Sequence, residues 1–445
     1  MALAQGSGEL IFWPYTIAKY GLTFLFLLIP ACLLQFPVIY EIGRYTLLTG
    51  ESIFQGFIRL NRYFAAFLWI LMTLSFLWFG AFAAAGGTSI AALSDFPAGW
   101  SRRDQTLFWA YATMALFLAA ILLSKVIYQL IEAFMWGVAI FTLVGLVWAS
   151  ANADVLNALP AFLQGLFAPQ RPMPRPWDPS DATKVLTAVT FAGLGGFWTL
   201  FYSYWLRDKG AGMAHYMGRL TGPITGKPEA IPDSGSLPTN DEGLANVNSW
   251  HRFMFWDIVI GVIGNLITTL LTCLLAYALL FPKGLLPQGY EIAVVQSRFF
   301  EASWGGWGRI FFLIIAAAFL SDTWLATADA VSRTHADCVY GFFPRSHRIA
   351  YRKWYLIFLL LLTLVTGVTV QLDEPGTLIL ISAVIGFVGT VIYSVALILL
   401  NHVYLPRHLP ALAQPGRLSL VCILISCAAY FVLAMLYVLT VLKVI

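Results

Sequence analysis

Glu9 is an acidic residue in an unusual place. It follows Gly6-Ser7-Gly8 and opens directly into Leu-Ile-Phe-Trp, whereas most of the 22 acidic residues fall in polar loops or near the ends of apolar runs. A carboxylate in a hydrocarbon layer costs several kcal/mol unless a cation or proton accompanies it, so such a position is functional by default. The flanking glycines allow the backbone to leave the helix, which is tolerated at membrane depth only beside protein or a water-filled cavity. A second cluster, Gly193-Leu194-Gly195-Gly196, interrupts another apolar run. The competing reading of membrane glycines is close helix packing.

Asp322 and Asp329 are secondary candidates for metal binding. They are seven residues apart on one apolar run and share a helix face. A salt bridge within the helix bundle, with Arg333 as partner, is an equal alternative to function. Glu132 lies near a span end and reads as a structural or interfacial anchor. Trp198, Tyr202, Tyr204 and Trp205 follow the second glycine cluster and read as packing residues. The six histidines fall in loops or at helix ends on this reading. There is no HExxH and no GxxxxGK[ST], so the sequence supports neither an intramembrane zinc protease nor an ATPase of its own.

The elements that must position these groups are membrane helices. The 445 residues are 60% hydrophobic and 11% charged, with a mean hydropathy of +0.78. A soluble domain is roughly 45–50% apolar and about 25% charged, so a soluble enzyme, a disordered chain and a nucleic-acid binder are excluded. Continuous rather than alternating apolar runs exclude a transmembrane barrel. Five cysteines without a CxxC indicate neither a disulfide framework nor a zinc knuckle. Ten spans are predicted at about 22–40, 63–85, 107–124, 129–150, 185–206, 253–281, 308–331, 354–371, 377–400 and 418–442. Met1–Tyr20, broken by Gly6, Gly8 and Pro14, reads as the second half of a discontinuous helix. Segments 151–183, 207–251 and 282–306 read as surface loops, so the chain is a single membrane domain in the lipid bilayer.

With alternating spans and the C-terminus outside, the inner loops hold sixteen of the 26 basic residues and the outer side ten. Arg345–Lys353 on one side contrasts with Asp373–Glu374 on the other, which places 207–251 and 333–353 in the cytoplasm. The two glycine clusters then occupy the first and sixth of eleven helices, matching positions in two five-helix halves. Interrupted helices at such positions point to a midplane substrate site in an inverted-repeat transporter. The halves are expected at 1–150 and 184–404, with helix eleven at 418–443.

Leu34-Gln35 and then Glu41-Ile-Gly-Arg44-Tyr-Thr-Leu-Leu-Thr-Gly50-Glu51 resemble the end of helix two in the Nramp (natural resistance-associated macrophage protein) metal-ion transporters. Tyr128–Glu132 is similar to the opening of their helix five, and Leu380-Ile-Ser382 through Leu400-Asn401 to their helix ten. The resemblance runs through essentially the whole chain in helix order. It implies an all-α polytopic membrane protein with the five-plus-five inverted-repeat transporter fold of the amino acid–polyamine–cation superfamily, with about eleven helices. It also implies a metal site between broken helices one and six. Typical members carry Asp-Pro-Gly-Asn in helix one and Met-Pro-His-Asn in helix six. Here these positions align with Gly6-Ser7-Gly8-Glu9 and Gly196-Phe197-Trp198-Thr199, so the methionine and histidine are replaced. On this resemblance Glu9 is the first candidate for a metal ligand, with the Ser7 and Thr199 hydroxyls and carbonyls at Gly6, Gly195 and Gly196 as lesser ones, an all-oxygen set suited to a hard cation. Helix three holds no acid and helix nine no internal arginine, both departures from the family's proton path. Tyr202–Gly210 resembles a divergent branch that shares the Gly-Ser-Gly-Glu motif. Family members have about half a helix before the break. Only five residues precede Gly6, so the expectation is a late-called start or a truncation that removes an inner half-helix.

The sequence is therefore expected to encode a non-enzymatic secondary transporter of divalent cations such as Mn, Fe or Mg, in a cytoplasmic membrane. No cofactor, ATPase subunit or nucleic acid is expected to be involved. The alternatives are the same fold carrying a small organic solute or amino acid, and a non-transporting membrane sensor.

Overall fold

The computed structural model describes residues 7–192, 195–227, 235–237, 241–410 and 413–442, the side chains of 7–9 and 241–245 excepted. The chain is an integral, multi-pass membrane protein. Among the described residues nine helical segments are long and apolar enough to cross a membrane. The β-bridging among them is limited to one isolated bridge between Val126 and Thr221.

The helices are α1 (Ser7–Tyr20), α2 (Leu28–Thr49), α3 (Ile53–Leu60), α4 (Arg62–Phe76), α5 (Gly80–Ser94), α6 (Arg102–Leu123), α7 (Ile127–Ala149) and α8 (Ala153–Gly165). They continue with α9 (Ala182–Thr190), α10 (Tyr202–Asp208), α11 (Asp241–Leu275), α12 (Ile292–Gln296), α13 (Arg298–Phe342), α14 (Tyr351–Thr369), α15 (Pro375–Ile398) and α16 (Arg417–Val441). α1 is the short first segment foreseen in the sequence. The span expected at 185–206 is not one helix but α9, a break, a 3-10 turn and α10. The polar segment 207–251 is a loop only in part, because α11 already begins at Asp241.

Local chemistry sets several boundaries. α2 runs on to Thr49 and ends where Gly50 takes a left-handed φ of 74°, its N–H returning to the Thr46 carbonyl. Glycine has no Cβ to oppose that conformation. Ser52 and Gln55 form a reciprocal capping box at the start of α3, and Asn61 caps α4. α13 is kinked at Gly305, with φ 59° and ψ −143°.

α5 is largely buried because its residues are small. A Cβ on Gly86 would fall 1.9 Å from the Ser321 hydroxyl, and one on Gly87 2.6 Å from the Thr106 carbonyl. Glycine thus lets α13 and α6 close on α5 from two sides, as membrane helices do without a hydrophobic force between them. Large side chains such as Phe141, Leu364, Leu424 and Phe431 are exposed, where lipid tails would surround them.

The loops sort to two ends of the bundle. At one end the Gly235 N–H donates to Glu51 at 2.9 Å, Arg352 donates to the Gly222 carbonyl, and Arg62 to the Phe342 carbonyl. At the other, Arg103 donates to the Gln371 carbonyl at 2.9 Å and Arg102 faces Glu291 at 3.9 Å. The first end carries the basic loops and is the inner end on the expectation from charge bias, the other being the outer end. An impermeant thiol reagent should accordingly label Glu374→Cys but not Ser236→Cys in sealed right-side-out vesicles. Labelling at 236 from outside would reverse the orientation.

Candidate functional site

The second glycine cluster does break its helix. α9 ends at Thr190, and the chain resumes at Gly195 and Gly196 with φ of 45° and 56°. A Cβ on Gly195 would lie 2.2 Å from the Thr190 carbonyl, and one on Gly196 3.2 Å from the Gly386 Cα of α15. Both positions therefore require glycine, for conformation and for space.

A break buried at membrane depth leaves backbone groups to satisfy. Gln35 of α2, 3% exposed, spans the gap. Its Nε2 donates to the Thr190 carbonyl at 3.0 Å, and its Oε1 accepts from the Gly195 N–H at 3.2 Å. The Tyr393 hydroxyl of α15 donates to the Gly196 carbonyl at 2.6 Å and lies 3.2 Å from the Thr390 hydroxyl. Gly195, Gly196 and Thr199 line a cavity of about 10 Å³ with Gln35, Thr190 and Thr390, about the room one water takes. The structure thus brings three of the expected oxygen donors together. Sequence reasoning assigned no role to Gln35, Thr390 or Tyr393. Gln35 stood inside the Nramp-like segment, and polar residues in apolar runs were the available signal.

Glu9 and Ser7 lie in the first turn of α1, but their side chains, like all of Gly6 and the Gly193–Leu194 pair, lie outside the described residues. Ile11, Phe12 and Tyr15 line a cavity of about 830 Å³ that also touches Lys184 of α9, Gly289–Ile292, and Glu374 and Thr377. It opens at the outer end of the bundle.

The walls of that cavity are clamped together by a buried carboxylate. Asp181, the residue before α9, accepts from Tyr15 at 3.1 Å, Tyr20 at 2.7 Å and Lys184 at 2.9 Å, and pairs with Lys19. Burial alone would raise its pKa. Hydrogen bonds from Lys19, Lys184 and Tyr20 overcome that and hold it below the usual carboxylate value. Ser180's hydroxyl and amide, with Lys19, hold the exposed Asp178 down at about 2. α1 and α9 are joined as one outer unit.

The secondary candidates separate. Asp329 gives its oxygens to Arg333 Nε at 2.9 and 2.8 Å and to the Tyr355 hydroxyl at 2.9 Å. Arg333 also binds Asp208 at the end of α10. The salt-bridge alternative describes Asp329, and its partner across the bundle was not legible from spacing. Asp322 is buried on the same face of α13, with the Thr323 hydroxyl at 3.4 Å and no ion pair among the described residues. Glu132 accepts from Tyr128 at 2.9 Å and faces Lys209 at 3.8 Å, as an anchor would. Trp198 packs on Phe76 at 4.6 Å and donates to Thr327 at 2.9 Å. His335 is not at a helix end: it lies inside α13, 5% exposed, bonded to the Val331 carbonyl and Thr73. Among the described residues no group of three or more His, Cys, Asp or Glu side chains is placed to hold a metal.

The segment that resembles Nramp helix two is a structural knot at the inner end. Glu41 is wholly buried and paired with Arg44 at 2.6 Å, with Asn401 at 2.9 Å and His402 at 3.2 Å. Glu51 accepts from Tyr45 at 2.7 Å and pairs with Arg59.

No protein-family model matches the chain, and no curated protein sequence does. Solved structures do match. A crystal structure of an Eremococcus coleocola manganese transporter mutant superposes with a TM-score of 0.62 at 15% identity, covering 97% of this chain and 85% of that one. MhsT in complex with L-phenylalanine gives 0.60 at 15% identity, covering 99% and 96%. Mhp1, a nucleobase-cation-symport-1 family transporter in a closed conformation, gives 0.54 at 11% identity, covering 98% and 90%. The present chain shares the fold of these proteins, the five-plus-five inverted-repeat transporter fold.

Proposed function

We propose that this protein is a secondary transporter of divalent metal cations across a cytoplasmic membrane, without a resident cofactor, an ATPase subunit or enzymatic activity. The observation that carries the reading is the break at Gly195–Gly196, which gathers the Thr199 hydroxyl and the Gly195 and Gly196 backbone around one small cavity at membrane depth. The fold likeness to a manganese transporter supports the same substrate class. Glu9 is the principal ligand in this reading, with Ser7, Gly6, Gly195, Gly196 and Thr199 supplying further oxygens. Asp322 is the next carboxylate to test. Asp329 serves the bundle through Arg333.

Oxygen ligands without sulfur or imidazole suit magnesium, manganese and calcium better than soft ions. In proteoliposomes, manganese and magnesium uptake should therefore differ little, and cadmium should hold no large advantage. Cadmium binding tighter than magnesium by about a hundredfold or more would contradict this ligand chemistry.

One observation favours a second reading. The outer cavity of about 830 Å³ has the size of a small-molecule site, for which roughly 300–1,000 Å³ is usual. A small organic solute or amino acid on the same fold would use it. The uptake panel decides between the two if it includes labelled amino acids. Uptake of an amino acid with no response to any divalent ion would replace the metal reading.

A further inference from the structure

The stretch 338–372 holds Arg345, Arg348, Arg352 and Lys353 and not one acidic residue. Two of the arginines lie in the 3-10 turn Pro344–Arg348, which joins α13 to α14 at the inner end. In such a turn the side chains at i and i+3 stand one above the other. Arg345 and Arg348 therefore share a side, and both are exposed. The turn is tied down elsewhere: Ser346 is buried, and its hydroxyl donates to the Val339 carbonyl at 3.1 Å. Trp354, in the first turn of α14, donates to the Ser346 carbonyl at 3.1 Å, and the Tyr340 hydroxyl donates to the Ile349 carbonyl. These bonds fold the turn against the start of α14, where Lys353 is exposed next to Trp354.

Carboxylates of this end are engaged elsewhere. Glu51 pairs with Arg59, Asp208 and Asp329 with Arg333, and Asp337 with Arg207. Arg345, Arg348 and Lys353 have no ion pair among the described residues. What they border is apolar. Phe343 and Ile349 flank the turn and are exposed. Along α14, Ile357, Leu360, Leu364 and Val368 follow Lys353 at steps of three or four residues, so they share its face of the helix, and all are exposed. From Ile357 to Val368 the helix rises about 16 Å, close to half of the roughly 30 Å hydrocarbon core. A cation cluster at the head of an apolar stripe one leaflet deep has the shape and charge of a phospholipid partner. Arginine takes phosphate oxygens in pairs. A zwitterionic headgroup brings its own cation to the three already present, so the charge selects a lipid with net negative charge.

We propose that the α13–α14 turn and the exposed face of α14 bind an anionic phospholipid, with Arg345, Arg348 and Lys353 on the headgroup phosphate and Ile357 to Val368 along an acyl chain. The site does not depend on which substrate the protein carries.

Anisotropy of an acyl-labelled phosphatidylglycerol, titrated with the purified full-length protein in detergent, tests the proposal. Acyl-labelled phosphatidylcholine and unlabelled inorganic phosphate are the other arms. The wild type should bind the phosphatidylglycerol at least about tenfold tighter than the phosphatidylcholine. Each basic residue removed should cost about fivefold, so the triple variant Arg345→Gln, Arg348→Gln, Lys353→Gln should lose about a hundredfold for phosphatidylglycerol and little for phosphatidylcholine. Arg309→Gln, at an exposed arginine elsewhere on α13, should leave both affinities unchanged. Equal phosphatidylglycerol affinity in the wild type and the triple variant would overturn the proposal. An equal loss in Arg309→Gln would overturn it too, by showing a diffuse response to charge. Displacement of the labelled lipid by millimolar inorganic phosphate would make this a site for the free anion and not for a lipid. Should the triple variant fail to fold, the double variant Arg345→Gln, Arg348→Gln carries the same test, with an expected loss of about twentyfold and the same contrary result.

Discussion

Replacing Glu9 with glutamine is expected to abolish divalent-ion binding while leaving the protein folded. Glutamine keeps the shape and one acceptor oxygen but removes the charge. The remaining donors in the reading are neutral: hydroxyls of Ser7 and Thr199 and backbone carbonyls at Gly6, Gly195 and Gly196. A neutral set holds a doubly charged ion far less well, and the expected loss is about a hundredfold or more in affinity, on the order of 3 kcal/mol. Because a carboxylate must lose its proton to take a metal, binding to the unaltered protein should weaken as pH falls, proton and metal competing for one site. Thermal-shift titration with manganese at two pH values, alongside uptake in proteoliposomes, measures both effects. A Glu9→Gln protein that binds and moves manganese normally would show the carboxylate to be structural, and would direct the search to Asp322.

Arg333→Met should be the most destabilising single change at the inner end of the bundle. Arg333 is wholly buried and holds two buried carboxylates at once, Asp329 on its own helix and Asp208 at the end of α10. Removing it leaves two buried charges without a counter-ion, a change that typically costs about 3–5 kcal/mol. Beside it, Arg207 pairs with Asp337 at 3.3 Å and with the Tyr351 hydroxyl at 3.3 Å, and cannot swing over without abandoning them. The triple variant Asp208→Asn, Asp329→Asn, Arg333→Met removes the charges together and should regain most of the lost stability. Thermal unfolding in detergent, followed by size-exclusion recovery, compares the two proteins with the wild type. If Arg333→Met melts with the wild type, the network contributes nothing to holding α10 against α13.

These two residues show different limits of a sequence. Glu9 stands out without any structure because a charged residue after Gly-Ser-Gly and before an apolar run violates the rule for membrane segments. Arg333 does not stand out: its spacing to Asp329 suggests a pair, yet nothing in the spacing reaches Asp208, 125 residues away. Gln296 does not stand out for the same reason: its Nε2 donates to the Leu10 carbonyl of α1, which Pro14, 282 positions earlier, leaves without a helical donor.

The sequence by itself determined that the chain spans a membrane many times, since apolar length and low charge leave no aqueous fold to adopt. It located the break in the sixth helix, because only glycine tolerates the left-handed backbone found at Gly195 and Gly196. Its basic loops set the expectation for which end faces the cytoplasm. Tertiary structure alone decided how the break is held: Gln35 bridges it from α2, and Tyr393 caps its carbonyl from α15. It also decided that Asp329 belongs to a salt bridge, and that α1 and α9 are clamped through Asp181. The reason is physical. Hydropathy and backbone conformation are local properties, written in consecutive residues. A buried polar group, by contrast, must find its partner wherever the packing of distant helices happens to supply one.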